Sequence, residues 1–208
     1  MKSDLAKQLL IVLLVVGTPL VGANTTSAED APPLTRIRGT IASFDGSKLE
    51  VKTRGGEVVT AALASDVSIS AVVIAKISDI KPNSFIGVTA VPVPEGGLKA
   101  LEVHVFPESM RGAGEGHRPW DLRPKSSMTN GVVGRVTGTS VRTVTVKYGN
   151  DEKQILIPDD VPVVSMDWSD KNAIKVGVAV VAFVEKAPGG SLAVKHMIVG
   201  KDGAVPGM

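Results

Sequence analysis

Cysteine is absent from the 208-residue chain. That excludes a disulfide framework, a thiol nucleophile and a thiolate metal site. Aromatic side chains supply only 3% of the residues: Phe44, Phe85, Phe106, Trp120, Tyr148, Trp168 and Phe183. Any core must therefore be aliphatic, and the stacked rings of a single-strand nucleic-acid groove are missing. Neither charge dominates. The 23 basic residues nearly cancel the 21 acidic ones, leaving no field directed at nucleic acid or an anionic membrane. Past residue 23, no apolar run approaches the roughly 20 residues of a membrane-spanning helix.

Valine is abundant, with 32 copies. Branching at Cβ restricts rotamers on a helix and packs well on a pleated surface, so the composition predicts strands. The first 28 residues read differently. Lys2 and Lys7 precede the apolar run Leu9 to Val16, then Gly17-Thr18-Pro19 and small residues. This is the layout of a secretory signal peptide, with cleavage expected after Ala23 or Ala28. The mature chain would be soluble, carry 21 basic and 20 acidic side chains (23 less Lys2 and Lys7, 21 less Asp4) and reside in the periplasm.

An internal repeat organises the rest. Arg38-Gly39-Thr40-Ile41 aligns with Val133-Gly134-Arg135-Val136, and Leu49-Glu50-Val51-Lys52 with Val144-Thr145-Val146-Lys147, both at an offset of 95. Ile80-Lys81 with Ile174-Lys175, and Pro94–Leu98 with Pro188–Leu192, follow at 94. Within each copy apolar residues alternate with polar ones, and Gly55-Gly56 or Gly149-Asn150 mark hairpin turns. Five or six short strands and one helical turn in about 70 residues predict an all-β chain. Its expected architecture is two tandem small OB-like β-barrels, at 35–106 and 131–201, joined by an ordered Gly/Pro-rich linker at 107–130. Closure would protect edges that valine-rich strands otherwise expose.

The segments Glu102–Glu108, Met110–Gly112, Gly114–Leu122 and Ser127–Asn130 resemble an exported bacterial family catalogued as a domain of unknown function. The resemblance implies a tandem-repeat architecture and export from a bacterium with a periplasm. Some members carry a metal-transporter name, but a mature chain without spans is not a permease.

The linker breaks the repeat and concentrates polar chemistry: Glu115, His117, Arg118, Trp120 and Asp121 among glycines and prolines. Long connections of this kind are functional or act as clamps. Trp120 is expected to plug the groove between barrels, where a ligand or partner would sit. Gly112-x-Gly114-x-Gly116 leads into Pro119 rather than a helix, so it is no phosphate loop. A metal site is the sharper alternative, with His104, Met110 and His117 holding copper or zinc. No spacing of serines, histidines or carboxylates selects a catalytic set. The sequence thus predicts a non-enzymatic, exported binding or envelope-interaction module without cofactor, partnered by an envelope protein or small ligand and not by nucleic acid. A periplasmic metal-binding protein is the alternative.

Overall fold

The structure is a computed structural model that describes residues 34–94, 96–138, 141–187 and 189–207. The expected leader, residues 1–28, lies outside the described residues. The described residues are all-β, and none of them forms a helix long and apolar enough to cross a membrane.

Strands β1 (Thr35–Phe44), β2 (Lys48–Thr53) and β3 (Val58–Ile74) form an antiparallel meander. Leu49 and Val51 point inward and are fully buried, as the alternation predicts. A 3-10 turn, Ile77–Asp79, leads to the hairpin β4 (Phe85–Pro92) and β5 (Leu98–Val105). A second 3-10 turn, Glu108–Met110, and the short β6 (Gly116–Pro119) lie in the linker. Then come β7 (Ser127–Thr137), β8 (Val141–Tyr148), β9 (Asp151–Pro158) and β10 (Val163–Ser169). The 3-10 turn Lys171–Ala173 precedes the closing hairpin β11 (Ala179–Lys186) and β12 (Leu192–Gly200).

Five strands close into a barrel, in the order β12-β11-β1-β2-β3 with β3 returning to β12 in parallel. Closure leaves no free edge to this ring. Its interior is aliphatic: Ile37, Ile41, Leu49 and Val51 face Val180, Ala182, Val184, Val194 and Met197. The order β5-β4-β7-β8-β9 continues in the same sheet, and β9 comes back to β5 through Leu98↔Ile155 and Lys99↔Leu156. This ladder encloses a second core of Ile86, Val88, Val103, Val133, Val144, Val146 and Ile155. Between the two lies β10, antiparallel to β3 and parallel to β5.

The expected boundaries are corrected by these pairings. The 35–106 segment does not close a barrel by itself. Its β4–β5 hairpin pairs with β7 and β9, while β1, β2 and β3 are completed by β11 and β12 from 131–201. The physical reason is the length of β3. It runs 17 residues, roughly 55 Å of extended chain, and carries the following hairpin away from the strands that precede it. The linker is also shorter than 107–130, because β7 begins at Ser127.

A second correction concerns register. Ile41 pairs with Val51 and Val133 with Val146, and each ladder has a bulge immediately afterwards, between Ile41 and Ser43 and between Val133 and Arg135. Gly39 therefore corresponds to Gly131, an offset of 92, rather than to Gly134. The short pattern of glycine followed two residues on by an aliphatic residue occurs at both places, so sequence matching selected the wrong one.

A third buried cluster lies outside both interiors. Val72, Met110, Met128, Val164, Met166, Ile198 and Ala204 form it, with Phe106, Trp120 and Phe183 packed against it. The outer faces of the two ladders meet here, and the expected site residues are arranged around it.

Candidate functional site

Directly opposed residues of adjacent strands share a face, so register fixes which side chains can meet. Across β5, β4, β7 and β6 one row reads Glu102, Thr89, Met128, Arg118, and the next reads His104, Gly87, Asn130, Gly116. These rows face the third cluster. The intervening row, Val103, Val88, Thr129 and His117, faces the opposite way.

His117 and Glu115 thus turn toward the second ladder. The His117 Nδ1 lies 2.8 Å from Thr129 Oγ1, and its ring stacks on Tyr148 with centroids 6.3 Å apart. Burial, then the neighbouring Lys153 and Arg118 charges, hold its pKa below the usual histidine value. Glu115 accepts a 2.8 Å hydrogen bond from the Gly149 amide and so clasps the linker to the β8–β9 turn.

Arg118, Trp120 and Asp121 turn toward β1. The Arg38 guanidinium donates to both Asp121 oxygens, at 2.8 and 3.2 Å, and Arg36 Nη1 lies 3.3 Å from the same carboxylate. The Arg38 hydrogen bond is the main cause of the lowered Asp121 pKa. Arg36 also lies over the Trp120 ring, its guanidinium carbon 3.8 Å from the ring centroid. Arg118 approaches the same ring at 5.5 Å and donates to the Gly114 carbonyl at 2.7 Å. The five linker residues therefore form two separate clasps, and no single groove gathers them. Trp120 is half-buried against the third cluster. Trp120→Ala is expected to cost about 2–4 kcal/mol, through lost aromatic burial and the lost cation–π contact. Thermal denaturation of the two proteins checks this.

Of the three metal candidates, His104 and Met110 lie on the side of the third cluster and His117 on the other face. His104 is fully buried, with Nε2 3.2 Å from Glu102 Oε1 but not aimed at it, so neither ring nitrogen has a hydrogen-bond partner among the described residues. Met110 is buried in the third cluster. His117 stands on the opposite face of the sheet from His104, as the rows above require. Among the described residues no three His, Asp or Glu side chains gather as a metal centre would need. The C-terminal segment closes over this polar layer: Ala204 is buried, and the Gly207 amide donates to Glu102 Oε1 at 3.1 Å.

His196 has a related environment on β12. Its Nδ1 lies 2.8 Å from Ser68 Oγ, and the Phe183 ring is 5.2 Å away. Burial lowers its pKa, and the Ser68 interaction opposes this. Protons therefore bind the unfolded chain more readily than the folded one. The contribution to stability is complete above the unfolded value near 6.5 and is lost as pH falls through the depressed folded value. Melting temperature should fall on acidification below about pH 6.5, and His196→Gln should flatten that slope. A comparison of the two pH profiles checks it.

An open cleft lies elsewhere, where β10 bridges the two ladders. It measures about 500 Å³ and is lined by Ala71, Val73, Ser165, Asp167 and Lys201, and by Met166 and Trp168 from the opposite face of β10. From the linker only Pro107 reaches it, next to Val105 and Phe106 at the end of β5. Trp168 is 54% exposed, an unusual position in a chain with two tryptophans. Sequence reasoning missed this residue, because its alternation with Val164 and Met166 reads as one buried face.

Comparison of the chain with protein-family models, with curated proteins and with solved structures finds no match.

Proposed function

We propose that this chain is a non-catalytic, exported binding or envelope-interaction module that takes its partner in the cleft along β10. The observation that carries the reading is Trp168, a large amphipathic ring left 54% exposed at the rim of an open cleft, where β10 no longer pairs with β5. An exposed aromatic anchor at the rim of a concave site is a common form of a binding site. The scaffold is a duplicated OB-like unit of about 94 residues whose two copies exchange their terminal hairpins. The equal spacing of β4 and β11, and of the 3-10 turns at 77 and 171, supports this. Export to the periplasm rests on the pattern of residues 1–28 and on the family resemblance.

Fractions of an envelope extract, titrated against the protein while tryptophan emission is followed, test the reading. One fraction is expected to shift the emission saturably, and the shift should vanish in Trp168→Phe while the melting temperature stays unchanged. A shift of equal size in the variant would remove the cleft as the binding site.

A further inference from the structure

We infer that the outer face of the first barrel carries a second site, independent of the β10 cleft, which binds a phosphate monoester between Thr40, Lys52 and Arg54. Strand register puts these groups together. On β1, Ile37 and Ile41 point into the barrel, so Arg38 and Thr40 point out; on β2, Leu49 and Val51 point in and Lys52 points out. Thr40 pairs directly with Lys52 and with Ala179 of β11, ahead of the bulge that follows Ile41, so the three side chains share that face. Arg54 opens the turn that follows β2. The C-terminal segment returns over Gly200, with Pro206 buried and Val205 exposed, and walls a pocket of about 220 Å³ lined by these residues.

The lining holds three cations, Arg38, Lys52 and Arg54, and no carboxylate. Asp121 lies outside it and accepts from the Arg38 guanidinium at 2.8 and 3.2 Å, which offsets one of the three charges. Lys52 and Arg54 have no carboxylate partner among the described residues. Glu50, the next outward residue on β2, accepts the Ser43 hydroxyl at 2.7 Å instead. Two uncompensated positive charges around one small space suit a dianion, and a phosphate monoester carries close to two negative charges at neutral pH. A planar carboxylate fills one guanidinium fork, as Asp121 does with Arg38. A tetrahedral oxyanion has further oxygens for an ammonium and a hydroxyl that approach from other directions. The pocket is smaller than the usual small-ligand site, so it admits a head group rather than a whole ligand. Ala179, Val205 and Pro206 offer an apolar wall to the carbon side of the ester.

Two forms of the same group test the site and separate its sources: glycerol 3-phosphate in solution, and phosphatidylcholine vesicles containing phosphatidic acid. Calorimetry of the full chain reads the first and co-sedimentation reads the second. At least one probe is expected to bind saturably. Lys52→Gln and Arg54→Gln should each weaken that binding by about tenfold, the effect of losing one charge-assisted hydrogen bond. Melting temperature should stay unchanged, because both side chains are exposed. Lys48→Gln removes the same charge from the same strand outside the pocket, and should leave binding intact. Binding of the soluble ester supports the site with a small phosphorylated ligand, and binding of the vesicles alone supports it with a lipid head group. Silence from both probes at millimolar concentration would overturn the inference. An equal loss in Lys48→Gln would reduce the attraction to general surface charge and overturn it too, as would displacement of the ester by acetate at matched concentration.

Discussion

A fragment ending at Glu108 is expected to have no folded monomeric state. Its β1, β2 and β3 would retain Ile37, Ile41, Leu49 and Val51 but lose the opposing wall of Val180, Ala182, Val184, Val194, Met197 and Val199. Each buried aliphatic side chain is worth about 1.5–3 kcal/mol. Loss of the five larger ones, about 7.5–15 kcal/mol, is comparable to the roughly 5–15 kcal/mol that holds a typical domain together. The exposed flanks of β1 and β3 would then be open edges, with the aggregation hazard such edges bring. Mixing the fragment with residues 109–208 should restore the cooperative transition at a one-to-one ratio, because the second fragment carries β11 and β12 and lacks β4 and β5. Circular dichroism with analytical ultracentrifugation provides the measurement. A cooperatively folding monomer would mean that β4 and β5 can close the first barrel themselves, and that the exchange between segments is dispensable. A dimer of the fragment alone would retain the exchange in another form, each copy giving its hairpin to the other.

That alternative explains how far the fold was legible. The strands themselves were visible, because Leu49 and Val51 or Val144 and Val146 alternate with polar neighbours and are buried as the alternation requires. Partner choice was not. The inward residues of β4 are Ile86, Val88 and Ala90, and those of β11 are Val180, Ala182 and Val184. Two hairpins with nearly the same apolar faces can each close either ring, and no local pattern distinguishes them. The decision lies in β3, whose continuity from Val58 to Ile74 sets where the chain goes next. A register jump between Leu63 and Ser68 opposite β12 shows that this strand is not uniform, and sequence periodicity reads it as two shorter strands.

The candidate site was legible in the same partial way. The linker was singled out for its departure from the repeat, and Trp120 does pack against the cluster between the ladders. Yet Glu115 and His117 face one ladder while Trp120 and Asp121 face β1, a division set by β6 pairing with β7 that composition cannot reveal. Trp168 was hidden for the opposite reason. A tryptophan in an alternating strand looks like core, and its exposure arises only because β5 departs from β10 after Ser165.

The glycine pair Gly39 and Gly131 gives the most direct test of the register. A Cβ at Gly39 would lie 2.1 Å from the Lys52 carbonyl oxygen, and one at Gly131 would lie 2.2 Å from that of Lys147. Both obstacles are backbone atoms within a hydrogen-bonded ladder, so neither can move without breaking strand pairing. Replacing glycine by alanine in a strand would otherwise reduce the entropy lost on folding and stabilise the protein slightly. Here the clash decides the sign. Gly39→Ala and Gly131→Ala are each expected to destabilise by about 3 kcal/mol, the upper end of ordinary overpacking, and to lower the melting temperature by roughly 6–12 °C. Gly134 is different, although sequence alignment equates it with Gly39. Its added Cβ would meet Lys147 Cε at 2.9 Å, the far part of a flexible side chain that can swing into solvent. Gly134→Ala should therefore change stability by less than about 1 kcal/mol. Equal losses at Gly39 and Gly134, with Gly131→Ala tolerated, would restore the 95-residue correspondence and displace the bulges after Ile41 and Val133. Severe losses at Gly39 and Gly131 alone follow from the close crossing of β1 with β2 and of β7 with β8, which only a residue without a Cβ allows.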